Sequence, residues 1–301
     1  MPEVVPPLIT PLTAAGAPDL PSLDRLVRHV VAEGADGVLV LGSTGEGGHL
    51  LPAEQEAVVA TAAATGHEVM AGVPALNTRQ AAQLAARFAA AGAHTLLVPP
   101  PSMFPLAPAE LAAHFATVAE AGGRPVIAYH VPSRVPSPVG PALLADLVAK
   151  GVLAGVKDSS GDLGGHRAAV LAVGRDTPGV RLLTGSETCV DAALQLGFTG
   201  AVPGLANVFT ALHRALADAA GRGEWAEARR RQDRLAYLHR IYEGPHGEAS
   251  FTAGAIGALK TALVELGVIE TATLSAPFVQ VGAEAAGHVR AVLREAREEP
   301  R

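Results

Sequence analysis

Residues 153–160 read Leu-Ala-Gly-Val-Lys-Asp-Ser-Ser, an apolar run that stops on a lysine, an aspartate and two hydroxyls. The run shows no polar alternation, the pattern of a strand covered by helices on one face and by a packed interior on the other. Runs of the same kind occur near residues 4–10, 36–42, 68–74, 94–100, 125–131, 180–185 and 200–205. With the first they make eight. Alanine-rich stretches of helical character lie between them, among them 52–66, 77–92, 107–123 and 186–198, several opening on proline or a capping residue and closing on glycine. Eight β-α units predict an α/β protein of the (β/α)8 TIM-barrel type, in preference to a doubly wound open sheet.

The chain runs well past the eighth strand, further than one barrel helix can absorb. Residues 225–242 and 252–267 read as helices, and a Gly-Pro-His-Gly turn at 244–247 separates them. The expected organisation is a barrel over 1–222 and a C-terminal helical extension over 223–301 packed on it.

Composition limits what such a barrel can do. Of 301 residues, 49% are hydrophobic and only 17% are charged, enough for a large core and too apolar for long disorder. The net charge of −6 and the absence of basic runs argue against nucleic acid as a partner. The single cysteine, Cys189, rules out an intrachain disulfide framework and fits a reducing compartment. It stands in a periodic segment and reads as a small core residue. The start, Met-Pro-Glu-Val-Val-Pro-Pro, lacks the basic head and apolar run of a secretion signal, and no apolar run is long enough to span a membrane. A cytoplasmic protein with no membrane partner is expected.

In a barrel of this kind, chemistry gathers at the carboxyl ends of the strands. The second strand ends in Leu-Gly-Ser43-Thr44-Gly-Glu, whose hydroxyls and amide groups suit a small anion, or equally cap the next helix. No phosphate loop or dinucleotide fingerprint is present there. The fifth strand delivers Tyr129, either a proton carrier or a satisfied core phenol. His130, one residue on, faces the opposite way. Arg134 in the following turn is a solvated loop residue or a fork for a substrate carboxylate. Lys157, read alone, is the end of a strand whose amine reaches water. Read with its neighbours, it is an amine that desolvation keeps partly neutral near pH 7 and able to attack a ketone as an electron-sink nucleophile. None of the eleven histidines forms His-x-His or His-Glu-x-x-His, so neither metal nor another cofactor is expected.

In order along the chain, ITPLTAAGAPD, GSTGE, YHVPSR, GVKDSSGD, GAVPGLANV and LKTALVELG resemble the dihydrodipicolinate synthase/N-acetylneuraminate lyase family of Schiff-base lyases. The resemblance implies a (β/α)8 barrel with a helical C-terminal extension, assembled as a homotetramer or homodimer. It implies a class I lyase or aldolase that holds pyruvate as an imine and joins it to, or releases it from, an aldehyde. The leading activity it implies is 4-hydroxy-tetrahydrodipicolinate synthesis. Other members act on 4-hydroxy-2-oxoglutarate, deoxy sugar acids or N-acetylneuraminate, and a non-catalytic 2-oxo acid sensor would keep the same pocket. By that resemblance Lys157 forms the imine, Tyr129 shuttles protons, Ser43 and Thr44 hold the pyruvate carboxylate, Gly185 and Val202 line the pocket, and Arg134 receives the second substrate's carboxylate. The chain departs from the synthases after the fourth strand. A tyrosine pair is usual there, whereas this chain reads Val-Pro-Pro-Pro-Ser102-Met103-Phe-Pro, and its three tyrosines are Tyr129, Tyr237 and Tyr242. His130 and Val135 replace a common asparagine and threonine.

Overall fold

Prolines set where the strands stop. In the computed structural model, which describes residues 1–174, 177–245 and 247–298, β1 covers only Glu3–Val4, since Pro6 and Pro7 have no N–H to give to a ladder. Strands β2 (Val38–Val40), β3 (Val69–Gly72), β4 (Thr95–Val98), β5 (Val126–His130), β6 (Gly155–Asp158), β7 (Arg181–Thr184) and β8 (Gly200–Ala201) follow. All eight expected strands form, and each is shorter than its apolar run. Pro74, Pro99 and Pro203 stand in the tails that leave the ladder.

The pairing is parallel throughout, in the order β1-β8-β7-β6-β5-β4-β3-β2. The ring is closed between its end strands by a parallel bridge of Pro7 with Leu39. There Leu39 N–H donates to the Pro6 carbonyl at 2.9 Å and Leu8 N–H to the Leu39 carbonyl at 2.8 Å. The expected barrel is present.

Helices α1 (Leu20–Ala32), α2 (Pro52–Ala64), α3 (Thr78–Ala90), α4 (Pro108–Gly122), α5 (Pro141–Ala149), α6 (Leu163–Val173), α7 (Val190–Leu196) and α8 (Thr210–Gly221) alternate with the strands. Their starts are written locally. Asp19 and Asn77 accept N–H bonds from Ser22 and Gln80 as N-caps of α1 and α3. Both α2 and α4 open on Pro-Ala-Glu, where Glu54 and Glu110 reach back to the N–H of Leu51 and Ala107 at 2.8 and 2.7 Å.

Two apolar layers result. Leu39, Met70, Leu97, Ile127, Leu183, Val202 and Val5 fill the barrel interior, and a larger layer that includes Phe88 and Phe115 lies between strands and helices. Each such fully buried side chain contributes roughly 1.5–3 kcal/mol. Cys189 departs from its expected place in the core: it stands half-buried just before α7, its Sγ 3.1 Å from Ser186 Oγ.

Beyond α8 the chain forms α9 (Trp225–Leu238), a 3₁₀ turn at His239–Glu243, α10 (Phe251–Glu265) and α11 (Ala283–Glu298). His246 of the expected Gly-Pro-His-Gly turn, and residues 299–301 of the extension, lie outside the described residues. The extension is tied to the barrel mouth by a buried ion pair. Lys260 Nζ of α10 lies 2.5 Å from Glu46 Oε1, both side chains having no solvent exposure. Glu46 Oε2 also accepts from the Ser275 N–H at 2.7 Å and hydroxyl at 2.5 Å, and Lys260 donates to the Thr273 carbonyl at 2.7 Å.

Removing one partner leaves an uncompensated buried charge. Lys260→Met is expected to lower unfolding stability by about 3–5 kcal/mol, read by denaturant titration. The double variant Glu46→Gln, Lys260→Met should recover part of that loss, because no charge is then stranded. Equal stability of the single and double variants would show that the pair is not what holds the extension down.

Candidate active site

The alternation of side chains along β5 and β6 sorts two chemistries onto two faces. Tyr129 pairs in register with Lys157, and His130 with Asp158. Ile127 belongs to the barrel interior, so Tyr129, two residues on, points inward too, and Lys157 beside it does the same. His130 and Asp158 face the helices. His130 Nδ1 accepts the Val139 N–H at 3.3 Å. Asp158 accepts the Ser160 N–H at 2.8 Å and lies 3.6 Å from His166 Nε2, which fixes the turn after β6.

Lys157 is only 6% exposed, and no carboxylate pairs with it among the described residues. Its nearest aromatic partner is the Tyr129 ring, whose centroid lies 4.6 Å from Nζ. Burial alone would raise the Tyr129 phenol. The Lys157 charge, the facing Ser159 and Ser43 hydroxyls and the Arg134 charge outweigh it and bring the phenol below its ordinary value. A phenol so placed releases its proton more readily than tyrosine in water.

Ser43 and Thr44 sit in a strained loop. Leu41 and Glu46, neither a glycine, take left-handed backbone angles at φ 58 and 53°. Gly72 makes room for the fold-back, since a Cβ there would lie 2.6 Å from the Leu41 carbonyl oxygen. Within the loop Gly45 and Glu46 donate inward to the carbonyls of Gly42 and Ser43. The N–H groups of Ser43 and Thr44 have no protein acceptor among the described residues. The two amide donors and the Thr44 hydroxyl are therefore left for a small anion, with the Ser43 hydroxyl shared with Tyr129.

Arg134 occupies a tight turn in which its own N–H donates to the Val131 carbonyl at 2.9 Å. Its guanidinium is exposed at the mouth and has no ion pair among the described residues. Gly185 backs onto the lysine. A Cβ there would lie 3.2 Å from Lys157 Cε and on top of Ser159 Oγ. Val202 is buried at the end of β8 and belongs to the interior layer. All seven residues singled out in the sequence (Ser43, Thr44, Tyr129, Arg134, Lys157, Gly185 and Val202) line one cavity of about 340 Å³. A second cavity of about 470 Å³ continues from it, sharing Ser43, Tyr129 and Arg134 and adding His49, Ser102 and Phe278.

The same wall holds residues that the sequence did not announce. Ser159 lies beside Lys157, and Glu187 follows β7 in Thr-Gly-Ser-Glu, an apolar run ending in polar residues like those of β2, β5 and β6. That step was a usable signal. His239 and Tyr242 come from the 3₁₀ turn of the extension, and no local pattern marks them. Tyr242 supplies a second phenol to the cavity and faces Glu187. After β4, where the synthases are expected to carry their tyrosines, Ser102 lines the outer cavity and Met103 and Phe104 are exposed. Among the described residues no group of three or more His, Cys, Asp or Glu side chains is placed to hold a metal ion. No helix described is long and apolar enough to cross a membrane.

Known proteins match nearly the whole chain in sequence and in fold. A family model described as the dihydrodipicolinate synthetase family matches residues 1–296. A 4-hydroxy-tetrahydrodipicolinate synthase of Pseudoalteromonas atlantica is 28% identical over 290 residues, covering 95% of each chain. An uncharacterized DapA-like lyase of Halobacterium salinarum is 34% identical over 232 residues, covering 76% of this chain and 75% of its own. Among solved structures, dihydrodipicolinate synthase of Bacteroides thetaiotaomicron superposes with a TM-score of 0.90 at 26% identity, with 98% of each chain covered. YagE of E. coli, in complex with pyruvate, superposes with a TM-score of 0.90 at 24% identity over 99% of each chain, a likeness of fold. A single match that runs from the first residue into α11, on a barrel whose strand ends carry GSTGE, YHVPSR and GVKDSSGD, leaves one assignment: the chain belongs to the dihydrodipicolinate synthetase family.

Proposed function

We propose that this chain is a class I lyase that binds pyruvate as an imine on Lys157 and condenses it with, or releases it from, an aldehyde. The observation that carries this reading is a buried, unpaired lysine 4.6 Å from the ring of a phenol held below its ordinary pKa, in a cavity that also offers an anion cradle. Lys157 attacks the 2-oxo carbon while the Ser43 and Thr44 hydroxyls and amides hold the carboxylate. Loss of water gives the imine, which draws electrons from the methyl carbon, and Tyr129 carries protons to and from the reacting atoms. Arg134, exposed and unpaired at the mouth, takes a carboxylate on the acceptor. No cofactor enters this scheme. On the family's pattern we place the enzyme in the cytoplasm as a homotetramer or homodimer, with residues 1–222 as barrel and 223–301 as extension.

The leading activity is 4-hydroxy-tetrahydrodipicolinate synthesis, supported by the names of relatives matched over most of the chain. One observation favours a second reading, another 2-oxo acid aldolase or dehydratase. The loop after β4 carries Ser102, Met103 and Phe104 where the synthases carry tyrosines, and the cavity's second phenol comes from Tyr242 instead.

Pyruvate with borohydride should add one reduced pyruvyl group per chain, mapped by mass spectrometry to the peptide bearing Lys157. Lys157→Ala should abolish both adduct and turnover. An adduct on Lys150 or Lys260, the other two lysines, would overturn the assignment. Turnover of any aldehyde in a panel excludes a sensor.

Gly185→Ala should slow adduct formation by at least about tenfold with the fold intact, because the added methyl displaces Ser159 Oγ and presses on Lys157 Cε. Adduct formation at the parent rate would show that the lysine is not held by that contact. Arg134→Ala should raise the Michaelis constant for a carboxylate-bearing acceptor by about tenfold to a hundredfold and leave imine formation unchanged. If the acceptor constant does not move, the arginine is only a loop residue.

A further inference from the structure

We infer that Glu187 is a second acid of this pocket: as a neutral carboxylic acid it protonates the hydroxyl that leaves when the Lys157 carbinolamine becomes the imine, and as a carboxylate it then faces the iminium. The inference rests on the imine reading above and adds a group to it.

Position comes first. Glu187 follows β7 by three residues and Gly185 by two, and the Gly185 backbone passes close against Lys157 Cε. Its side chain is 17% exposed and lines the same cavity as the lysine. The carboxyl is held on the wall from behind. Oε1 accepts the Leu205 N–H in a short bond, and the Tyr242 hydroxyl faces the group from the 3₁₀ turn. Oε2 lies 3.9 Å from His239 Nε2. Gly204 packs beside the group, where a Cβ would sit 3.4 Å from Oε1, 3.6 Å from Oε2 and 3.4 Å from the Tyr242 hydroxyl.

The charged and titratable groups around it are Lys157 from β6, Tyr129 from β5, Arg134 from the mouth, and His239 and Tyr242 from the extension. Burial dominates and pushes the carboxyl up to about 7, against the pull of the Leu205 N–H, the Lys157 charge and the Tyr242 hydroxyl. Glu187 therefore changes charge where a general acid is most useful.

The step balances without an outside reagent. In the carbinolamine the lysine nitrogen is bonded to the former carbonyl carbon, which also bears a hydroxyl. The nitrogen lone pair forms the C=N bond as the C–O bond breaks, the Glu187 proton goes to the departing oxygen, and water leaves. Neutral acid and neutral carbinolamine become carboxylate and iminium, opposite charges facing each other in a site with little water.

The test is the rate of pyruvyl-adduct formation, quenched with borohydride at short times, across a pH series from about 5 to about 9. The parent protein should show a descending limb as pH rises through about 7. Glu187→Gln should lose that limb and form adduct about 100-fold more slowly at its best pH. In Tyr242→Phe the hydroxyl that favours the carboxylate is gone, so the limb should move to higher pH. A purely structural defect would slow the reaction without moving or erasing the limb. An unchanged profile in Glu187→Gln, or a limb that stays put or moves down in Tyr242→Phe, overturns the inference. Should Glu187→Gln fail to fold, the direction of the Tyr242→Phe shift decides. If the parent protein itself forms no adduct, the imine reading falls, and this inference with it.

Discussion

Glu46 and Lys260 lie 2.5 Å apart with no solvent on either, and a charge so placed is tolerable only while its partner and its hydrogen bonds stay in place. The pair joins the loop after β2 to α10, segments 214 residues apart in sequence. Desolvation draws the Lys260 amine below its ordinary value, and the Glu46 carboxylate opposes that shift. Ser275 and the Thr273 carbonyl complete the cage. Glu46 is also one of the two non-glycine residues with left-handed backbone, so the strain of the Ser43-Thr44 loop is held by the same contact. A single ionic contact thus sets both the shape of the anion cradle and the position of α10 over the mouth.

Everything nearer the chemistry depends on that closure. With α10 in place, Phe251, Thr252 and Ile256 bound the cavity, and the 3₁₀ turn brings Tyr242 against Glu187. Without it the mouth would be a shallow dish, and water would screen the charges on which the Tyr129 shift relies. The extension is thereby part of the site as well as of the fold. Residues of α9, α10 and α11, such as Leu235, Leu259 and Val292, belong to the same apolar core as the barrel helices, so the three further helices serve packing as well as the cavity.

The barrel was legible because parallel strands leave unbroken apolar runs and glycine or proline marks each turn. Strand lengths were not, because an apolar run such as Val4-Val5-Pro6-Pro7-Leu8 continues through residues with no N–H to pair. Ser43, Tyr129 and Lys157 were legible because a polar residue closing an apolar strand stands at the barrel mouth. Gly185 and Val202 carry no functional group and came only through resemblance. Glu187 is legible by the same rule, since its strand too runs from apolar into polar residues. His239 and Tyr242 could not be found locally, since a helical stretch of Arg, Leu and Tyr gives no sign that its last turn folds back over a cavity. Cys189 misled for a related reason: its segment has helical periodicity, but the helix begins one residue later.

On the proposed reading, the cavity's charges would order two substrates from the mouth inward. Arg134 is exposed and permanently cationic, so it suits a carboxylate that arrives last and stays near water. Ser43 and Thr44 offer neutral donors deeper in, where an anion can be held without placing a second cation beside Lys157 and costing the amine its approach to a ketone. Tyr129 and Glu187 flank the lysine from β5 and from the loop after β7, one phenol shifted down and one carboxyl shifted up. Opposite shifts of two acids around one amine bring both pKa values nearer to neutral pH, from above for the phenol and from below for the carboxyl. The barrel interior, which is apolar at Ile127 and Leu183, supplies the desolvation that raises Glu187, whereas the Tyr129 shift runs against burial and is carried by the charges and hydroxyls around it.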